Sequence, residues 1–336
     1  MPEINSRIKE APLSVRLAVA VLLLTLFAAG CTGVRTLDDG KVHVVATFFP
    51  LYDFARQVGG ERVKVSCLVP PGTSVHEWEP SVRDIRRAVR ADLFIYNGAG
   101  LEPWVERMLP EFREEAVVEA TRGLALLRYE GEERREENTA TKHRQDGLYD
   151  PHAWLDPVLA QHYVKEIAAG LARVDPAGRS YYQKRAQAYI SRLAVLDGAY
   201  REAAVHFKRR EIVTAHAAFG YLAARYGLRQ IPVAGLSPQA EPSPARLKEL
   251  VALVRRHGVR YIFFDSAVNP RIAETLAREA KVKSLVLSPA AGLSPEEKSG
   301  QKDYVAVMED NLAALVTALN GDEPRWQIKP RNPARD

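Results

Sequence analysis

From residue 41 onward, short apolar runs alternate with stretches in which apolar side chains recur every three or four positions. The first runs fall at 43–49 (within VHVVATFF), 63–69 (VKVSCLV), 92–98 (DLFIYNG) and 115–120 (EAVVEA). Runs of this length, bounded by turn residues and alternating with helical patterns, read as strands of a parallel sheet built from βαβ units. Between them, Tyr52 to Val58 reads as a short helix stopped by Gly59–Gly60. Ser81, with Asp84 three residues on, gives a capping-box start for another. The rhythm then repeats, with strands predicted at 211–215, 229–235, 261–265 and 284–288 and helices at 217–227, 244–257, 270–281 and 302–319. The helix ahead of YIFFD closes on Arg255, Arg256, His257 and Gly258, a basic last turn followed by a helix-ending glycine.

Between the two series, Asp175–Pro176 forms a good cap and first-turn pair and opens a stretch that runs without a further proline to about Phe207. Some thirty helical residues span roughly 45 Å, too long for a crossover inside one small sheet. The pattern predicts an α/β protein of two lobes, each a mainly parallel sheet flanked by helices, joined by one long connector helix. The expected boundaries are an N-terminal lobe at 41–174, a connector at 175–208, a C-terminal lobe at 209–320 and a flexible tail at 321–336. Within the first lobe, 130–147 (EGEERREENTATKHRQDG) is charged and aperiodic and reads as an exposed loop. Open α/β sheets bind ligands beyond the carboxyl ends of their strands, so the interlobe cleft is the expected site.

The first thirty residues follow another pattern. Arg7, Lys9 and Arg16 precede an uncharged stretch from Leu17 to Ala29, too short for a comfortable bilayer span and suited to a secretory signal. Ala28, Ala29 and Gly30 then lead into Cys31, which resembles a lipobox, although leucine is more usual where Ala28 stands. The expectation is a signal peptide at 1–30, an acylated Cys31 held by membrane lipid and a tether at 31–40, with an ordinary cleaved signal or a short N-terminal membrane anchor as the alternatives; all three place the rest of the chain outside the cytoplasm. The other cysteine, Cys67, lies in an apolar run and reads as a small core residue; with Cys31 acylated, no intramolecular disulfide can form.

Composition adds constraints. Hydrophobic residues make up 46% of the 336 and charged residues 26%, enough to build a buried core and against wholesale disorder. The formal charge of +5 is mild, and no basic stripe interleaved with aromatics is present, so nucleic acid is not an expected partner. Eight histidines remain to be placed. His206 and His257 sit near helix C-termini, His43 begins a strand, His143 lies in the charged loop and His162 in a helix; none needs a special role. His76 (GTSVHEWEP), His152 (DPHAWLDP) and His216 (VTAHAAFGY) differ, for each follows a strand or sits in a loop, where this fold collects ligand groups. Imidazole is the commonest metal ligand, and three of them suit zinc better than magnesium or calcium.

These same stretches carry a family likeness. VVATFFPLYDFARQVGG, PPGTSVHEWEPS, DLFIYNGAGLEPWVERM, DPHAWLDP, VTAHAAFGYLAARYGL, GLSPQAEPSPARLKEL and VLSPAAGLSPEEKSGQKDYVAVMEDNLAAL together resemble the cluster 9 solute-binding proteins of bacterial metal ABC importers, zinc-binding branch, over roughly residues 41–320. The resemblance implies capture of Zn2+ between two lobes and delivery to an ABC permease and its ATPase by a monomeric receptor. It places the metal ligands on His76, His152 and His216. Manganese-binding relatives carry a carboxylate at the third position, so Mn2+ is the alternative cargo. The fourth position departs from several relatives: the loop that supplies a carboxylate there reads SPAAGL here, leaving water, Glu77 or Asp265. Asp150, Asp156 and Glu241 are candidates for orienting the rings. Zinc competes with protons for neutral imidazole, so affinity is expected to fall as pH drops through about 6.5.

Two rivals follow from the same residues. Three histidines and water on zinc also make a hydrolase, but HEWEP lacks the second histidine of a metalloprotease helix, and neither a GxSxG elbow nor a P-loop is present; the chain is not expected to be an enzyme. A surface adhesin is the other alternative, and no residue separates it from an importer component.

Overall fold

The computed structural model describes residues 40–129, 149–236, 243–265, 271–293 and 302–320. The signal segment, Cys31, the tether up to residue 39, the charged loop with His143, Glu241 and the tail at 321–336 lie outside the described residues.

The first sheet comprises β1 (Val42–Ala46), β2 (Val63–Cys67), β3 (Leu93–Tyr96) and β4 (Val117–Glu119), all parallel in the order β2-β1-β3-β4. Between these strands run α1 (Phe49–Gly59) and α2 (Val82–Val89). The second sheet repeats the plan with β5 (Glu211–Thr214), β6 (Arg229–Pro232), β7 (Tyr261–Phe264) and β8 (Lys283–Val286) in the order β6-β5-β7-β8, again parallel. Its helices are α5 (Gly220–Tyr226), α6 (Pro244–Arg256), α7 (Arg271–Ala280) and α8 (Tyr304–Asn320). The sheets are linked by α3 (Pro157–Val174) and the 28-residue α4 (Arg179–His206). Two parallel sheets joined by a long helix is the architecture the hydrophobic pattern predicts.

The strands are shorter than their apolar runs. Phe48 and Phe49, expected in β1, instead cap and open α1, because Pro50 fits the first turn of a helix and cannot donate to a ladder. Both rings remain buried, which is why the run looks continuous in the sequence. The Ser81 capping box forms as expected: its hydroxyl accepts the Asp84 N–H at 3.3 Å, and the Asp84 carboxylate accepts the Ser81 N–H at 3.1 Å. Asp175–Pro176 opens a short 3-10 turn rather than the α-helix itself, which begins at Arg179.

The connector's sequence explains its path. Tyr182, Ala186, Tyr189, Leu193, Leu196, Tyr200 and Ala203 are buried, at alternating spacings of four and three. That stripe faces α1, α3 and α8, while the remaining faces of the helix meet water. Asp53 on α1 fastens three of these elements together. Its buried carboxylate accepts the Tyr189 hydroxyl at 3.2 Å and the N–H of Tyr304, first residue of α8, at 3.1 Å. One contiguous core then runs from Val44 and Leu93 in the first lobe, through α4, to Ile212 and Phe263 in the second. Lobes sharing a core in this way are poorly placed for large rigid-body opening. Among the described residues, no helix is long and apolar enough to cross a membrane.

Candidate metal centre

Parallel strands bring their carboxyl ends to one edge of each sheet, and the three singled-out histidines lie beyond those ends. His76 is in the loop that leaves β2, next to a tight turn in which the Glu77 N–H bonds the Ser74 carbonyl at 3.4 Å. His152 sits just before a 3-10 turn at Ala153–Leu155, which the Leu155 N–H closes onto the His152 carbonyl at 3.1 Å. His216 follows β5 by two residues, and its carbonyl is held by the Thr214 hydroxyl at 2.8 Å and the Gln230 amide at 2.9 Å. The loop carrying His76 also reaches the other lobe, where the Gly72 N–H meets the Leu293 carbonyl at 3.1 Å.

Residues 76 and 64 positions apart in sequence thus converge: one ring nitrogen from each of His76, His152 and His216 lies within 4.8 Å of the other two. The ring centroids are 5.1, 6.0 and 5.5 Å apart. His76 Nε2 and His152 Nε2 approach to 3.1 Å. Two nitrogens on one tetrahedral zinc, each about 2.0–2.1 Å from it, lie roughly 3.3 Å apart, so the pair has the spacing of a shared zinc ion. Among the described residues no carboxylate belongs to this group; Glu77 and Asp265, though both are described, stand outside it.

Burial shifts the protonation of His76 and His216. His152 and His216 are buried and His76 partly so. Burial pushes His76 down to about 3, with the neighbouring His152 ring adding to the effect. Burial likewise holds His216 well below the ordinary imidazole range, reinforced by His152 and His76. Neutral imidazole is the form that carries a lone pair for a metal, and a cavity that disfavours imidazolium keeps it neutral. For His76 and His216 the same burial moves proton competition to lower pH than the 6.5 of ordinary imidazoles.

Among the residues proposed to orient the rings, Asp150 does so. Its Oδ1 lies 2.8 Å from His152 Nδ1 and also accepts the His152 backbone N–H at 2.9 Å. A carboxylate only accepts, so the ring proton sits on Nδ1 and the Nε2 lone pair faces the cluster. Asp156 has a different task. Its Oδ1 caps α3 by accepting the Val158 N–H at 2.8 Å, and its Oδ2 accepts from Arg225 Nε at 2.7 Å, which ties α3 to the end of α5. Pro157 at the first helical position makes Asp156 an N-cap by local rule, a signal the sequence already carried.

Sequence reasoning did not reach the groups around Pro151. The Asn97 amide donates to the Pro151 carbonyl at 3.0 Å and accepts from the Tyr163 hydroxyl at 2.9 Å. Asn97 is fixed in turn by Glu102, whose carboxylate accepts the Asn97 N–H at 2.9 Å, the Gly98 N–H at 3.2 Å and the Thr47 hydroxyl at 2.6 Å. Burial pushes the Glu102 carboxyl up to about 7 against those hydrogen bonds. On the other side Trp154 Nε1 donates to the Pro289 carbonyl at 2.8 Å, and the Tyr304 hydroxyl donates to the Trp154 carbonyl. The segment bearing His152 is thus pinned from both lobes.

Residues 44–318 match the family described as zinc-uptake complex component A, periplasmic. The chain is 39% identical over 308 residues to the high-affinity zinc uptake system protein ZnuA of Bacillus subtilis (strain 168), covering 90% of this chain and 96% of that protein. It is 38% identical over 304 residues to the zinc-binding lipoprotein AdcA of Streptococcus pneumoniae serotype 4, covering 90% of this chain but only 60% of AdcA, the longer protein. Among solved structures, the Zn(II)-bound ZnuA-like domain of Streptococcus pneumoniae AdcA superposes with a TM-score of 0.71 at 38% identity, covering 84% of this chain and 100% of that domain. The likeness carried by the sequence motifs is borne out, and the chain belongs to the family of the periplasmic component A of zinc-uptake complexes.

Proposed function

We propose that this chain captures Zn2+ outside the cytoplasm through His76, His152 and His216 and hands it to the permease of an ABC-type importer. The observation that carries the reading is the cluster itself: three imidazole nitrogens within 4.8 Å of one another and no carboxylate among them. Nitrogen-only donor sets favour zinc over manganese, which prefers oxygen ligands. Water completes the tetrahedron, since zinc readily keeps an open fourth position. The chain acts as a receptor and not as an enzyme, in line with a family that serves metal uptake. Residues 41–174 and 209–320 form the two lobes and 175–208 the connector between them. The lipobox-like AAGC at 28–31 supports a signal at 1–30 and acylation of Cys31, which would hold a monomeric receptor beside its permease. Loss of the chain from the membrane fraction on Cys31→Ser tests the anchor; retention would overturn it.

The cargo is tested by competition. Metal-free protein titrated with Zn2+ in the presence of excess Mn2+ should bind zinc at one site and release none of it to manganese. Preference for manganese would overturn the cargo while leaving the fold in place. The same titration carries the pH argument. A metal competes with protons for the metal-free imidazoles, so a lowered pKa keeps the binding form populated as pH falls. With His76 near 3 and His216 well depressed, zinc affinity should decline less steeply from pH 6.5 to 5 than three ordinary imidazoles would require. A decline with the full three-proton slope in that range would contradict it.

A further inference from the structure

Gly220 opens α5, and its backbone lies outside the left-handed region, so nothing in its conformation calls for glycine. Alanine is the better helix former at such a position. What excludes a side chain is Asp150: a β-carbon on Gly220 would lie 2.6 Å from Asp150 Oδ2, closer than carbon and oxygen approach without displacement. The next residue works on the same aspartate. The Tyr221 hydroxyl donates to the Asp150 carbonyl at 2.8 Å and accepts the Leu127 N–H at 2.9 Å. A helix that starts four residues after His216, in the second lobe, therefore borders both the backbone and the carboxylate of Asp150. That carboxylate in turn holds Nδ1–H of His152 at 2.8 Å.

The chemistry at stake is a tautomer. Histidine in water favours the proton on Nε2, the nitrogen that His152 turns toward His76. Coordination through Nε2 needs that proton on Nδ1, and an acceptor fixed beside Nδ1 supplies the bias. We propose that Gly220 is a positioning residue for zinc capture: by lacking a side chain it lets Asp150 hold His152 in the Nδ1–H tautomer, so a helix of one lobe sets the pose of the other lobe's ligand. The inference deepens the zinc-capture reading and rests on it for its effect on affinity.

The experiment compares full-length wild type, Gly220→Ala and Asp150→Ala, each stripped of metal and 15N-labelled. Long-range 1H–15N spectra of the histidine rings report the His152 tautomer, and competition against a zinc chelator reports affinity. Wild-type His152 should show Nδ1–H, and both variants should move toward Nε2–H. Zinc affinity should fall about 10- to 100-fold in Asp150→Ala, the usual cost of losing the partner of a ligating histidine, and about 10-fold in Gly220→Ala. A lower thermal midpoint in Gly220→Ala with the wild-type tautomer would mark a packing defect alone; the shift of the His152 tautomer is the readout that a merely structural role would not move. Wild-type tautomer and affinity in Gly220→Ala would overturn the proposal, and so would an unchanged tautomer in Asp150→Ala. If Asp150→Ala does not fold, Gly220→Ala carries the test alone. If the wild type itself binds no zinc, the capture reading fails, while the tautomer comparison on metal-free protein still decides what Gly220 does.

Discussion

His152→Ala should weaken zinc binding on the order of 1,000-fold, about 4 kcal/mol. His152 is fully buried, and its Nε2 lies 3.1 Å from that of His76, so no surface group stands ready to replace it. Removing the ring takes one of three nitrogens from the cluster and strips Asp150 of its Nδ1–H partner. The two losses act together: Asp150 keeps the His152 backbone N–H but loses the ring donor, and a buried carboxylate short of a partner is itself costly. His76→Ala should cost less, since His76 is only partly buried and its place on the metal is open to water. Competition with a chromophoric chelator at neutral pH measures both. Zinc binding that survives His152→Ala unchanged would place the site elsewhere in the molecule.

Trp154→Ala should lower folding stability by about 3–5 kcal/mol, the usual range for deleting a buried aromatic side chain. For a chain of this size that corresponds to a fall in Tm of about 5–10 °C. Trp154 is fully buried; its ring meets Phe48 edge-on at 4.8 Å and lies 5.1 Å from the His152 ring. Its Nε1 donates to the Pro289 carbonyl across the lobes, so truncation leaves both a cavity and an unsatisfied carbonyl. Trp154→Phe restores most of the volume but not the donor, and should recover only part of the loss. Calorimetry of the metal-free variants checks both, and a Tm for Trp154→Ala within a degree of wild type would refute the account. Because Trp154 lies two residues from His152, zinc affinity should fall with stability in Trp154→Ala.

These expectations rest on one architectural fact: the segment bearing His152 is held from both sides. Asn97 and Tyr163 support it from the first lobe, and Tyr221, Pro289 and Tyr304 from the second. With α4 packed along α1, α3 and α8, the lobes have little freedom to swing apart. Cargo exchange in such a frame calls for local movement near the cluster, and His76, the least buried of the three histidines, lies on the accessible side.

Much of this was legible in the chain itself, for definite reasons. Strand and helix periods are local, so the two αβ series and the connector could be read from apolar spacing, as could the Ser81 capping box. His76, His152 and His216 stood out because strand ends and loops are where this fold collects ligands, and the surrounding motifs carried the family. Element ends were read less well where a rule of one structure overlaps another: Phe48 and Phe49 look like strand and belong to the start of α1, because burial is common to both and only Pro50 separates them.

What the tertiary structure alone decided concerns partners far apart in sequence. Asp150 lies two residues before His152 and Asp156 four residues after it, and both were reasonable partners for a ring. One turns its carboxylate to His152 Nδ1, while the other caps α3 and meets Arg225. The shift of His76 to about 3 depends on burial and on a ring 76 residues away, and neither is written in HEWEP. Gly220 reads as an ordinary glycine near a helix start until the fold places Asp150 against it. Local propensity and hydrophobic period are properties of neighbours in sequence; tautomer, protonation and the space a side chain is allowed are set by neighbours in space.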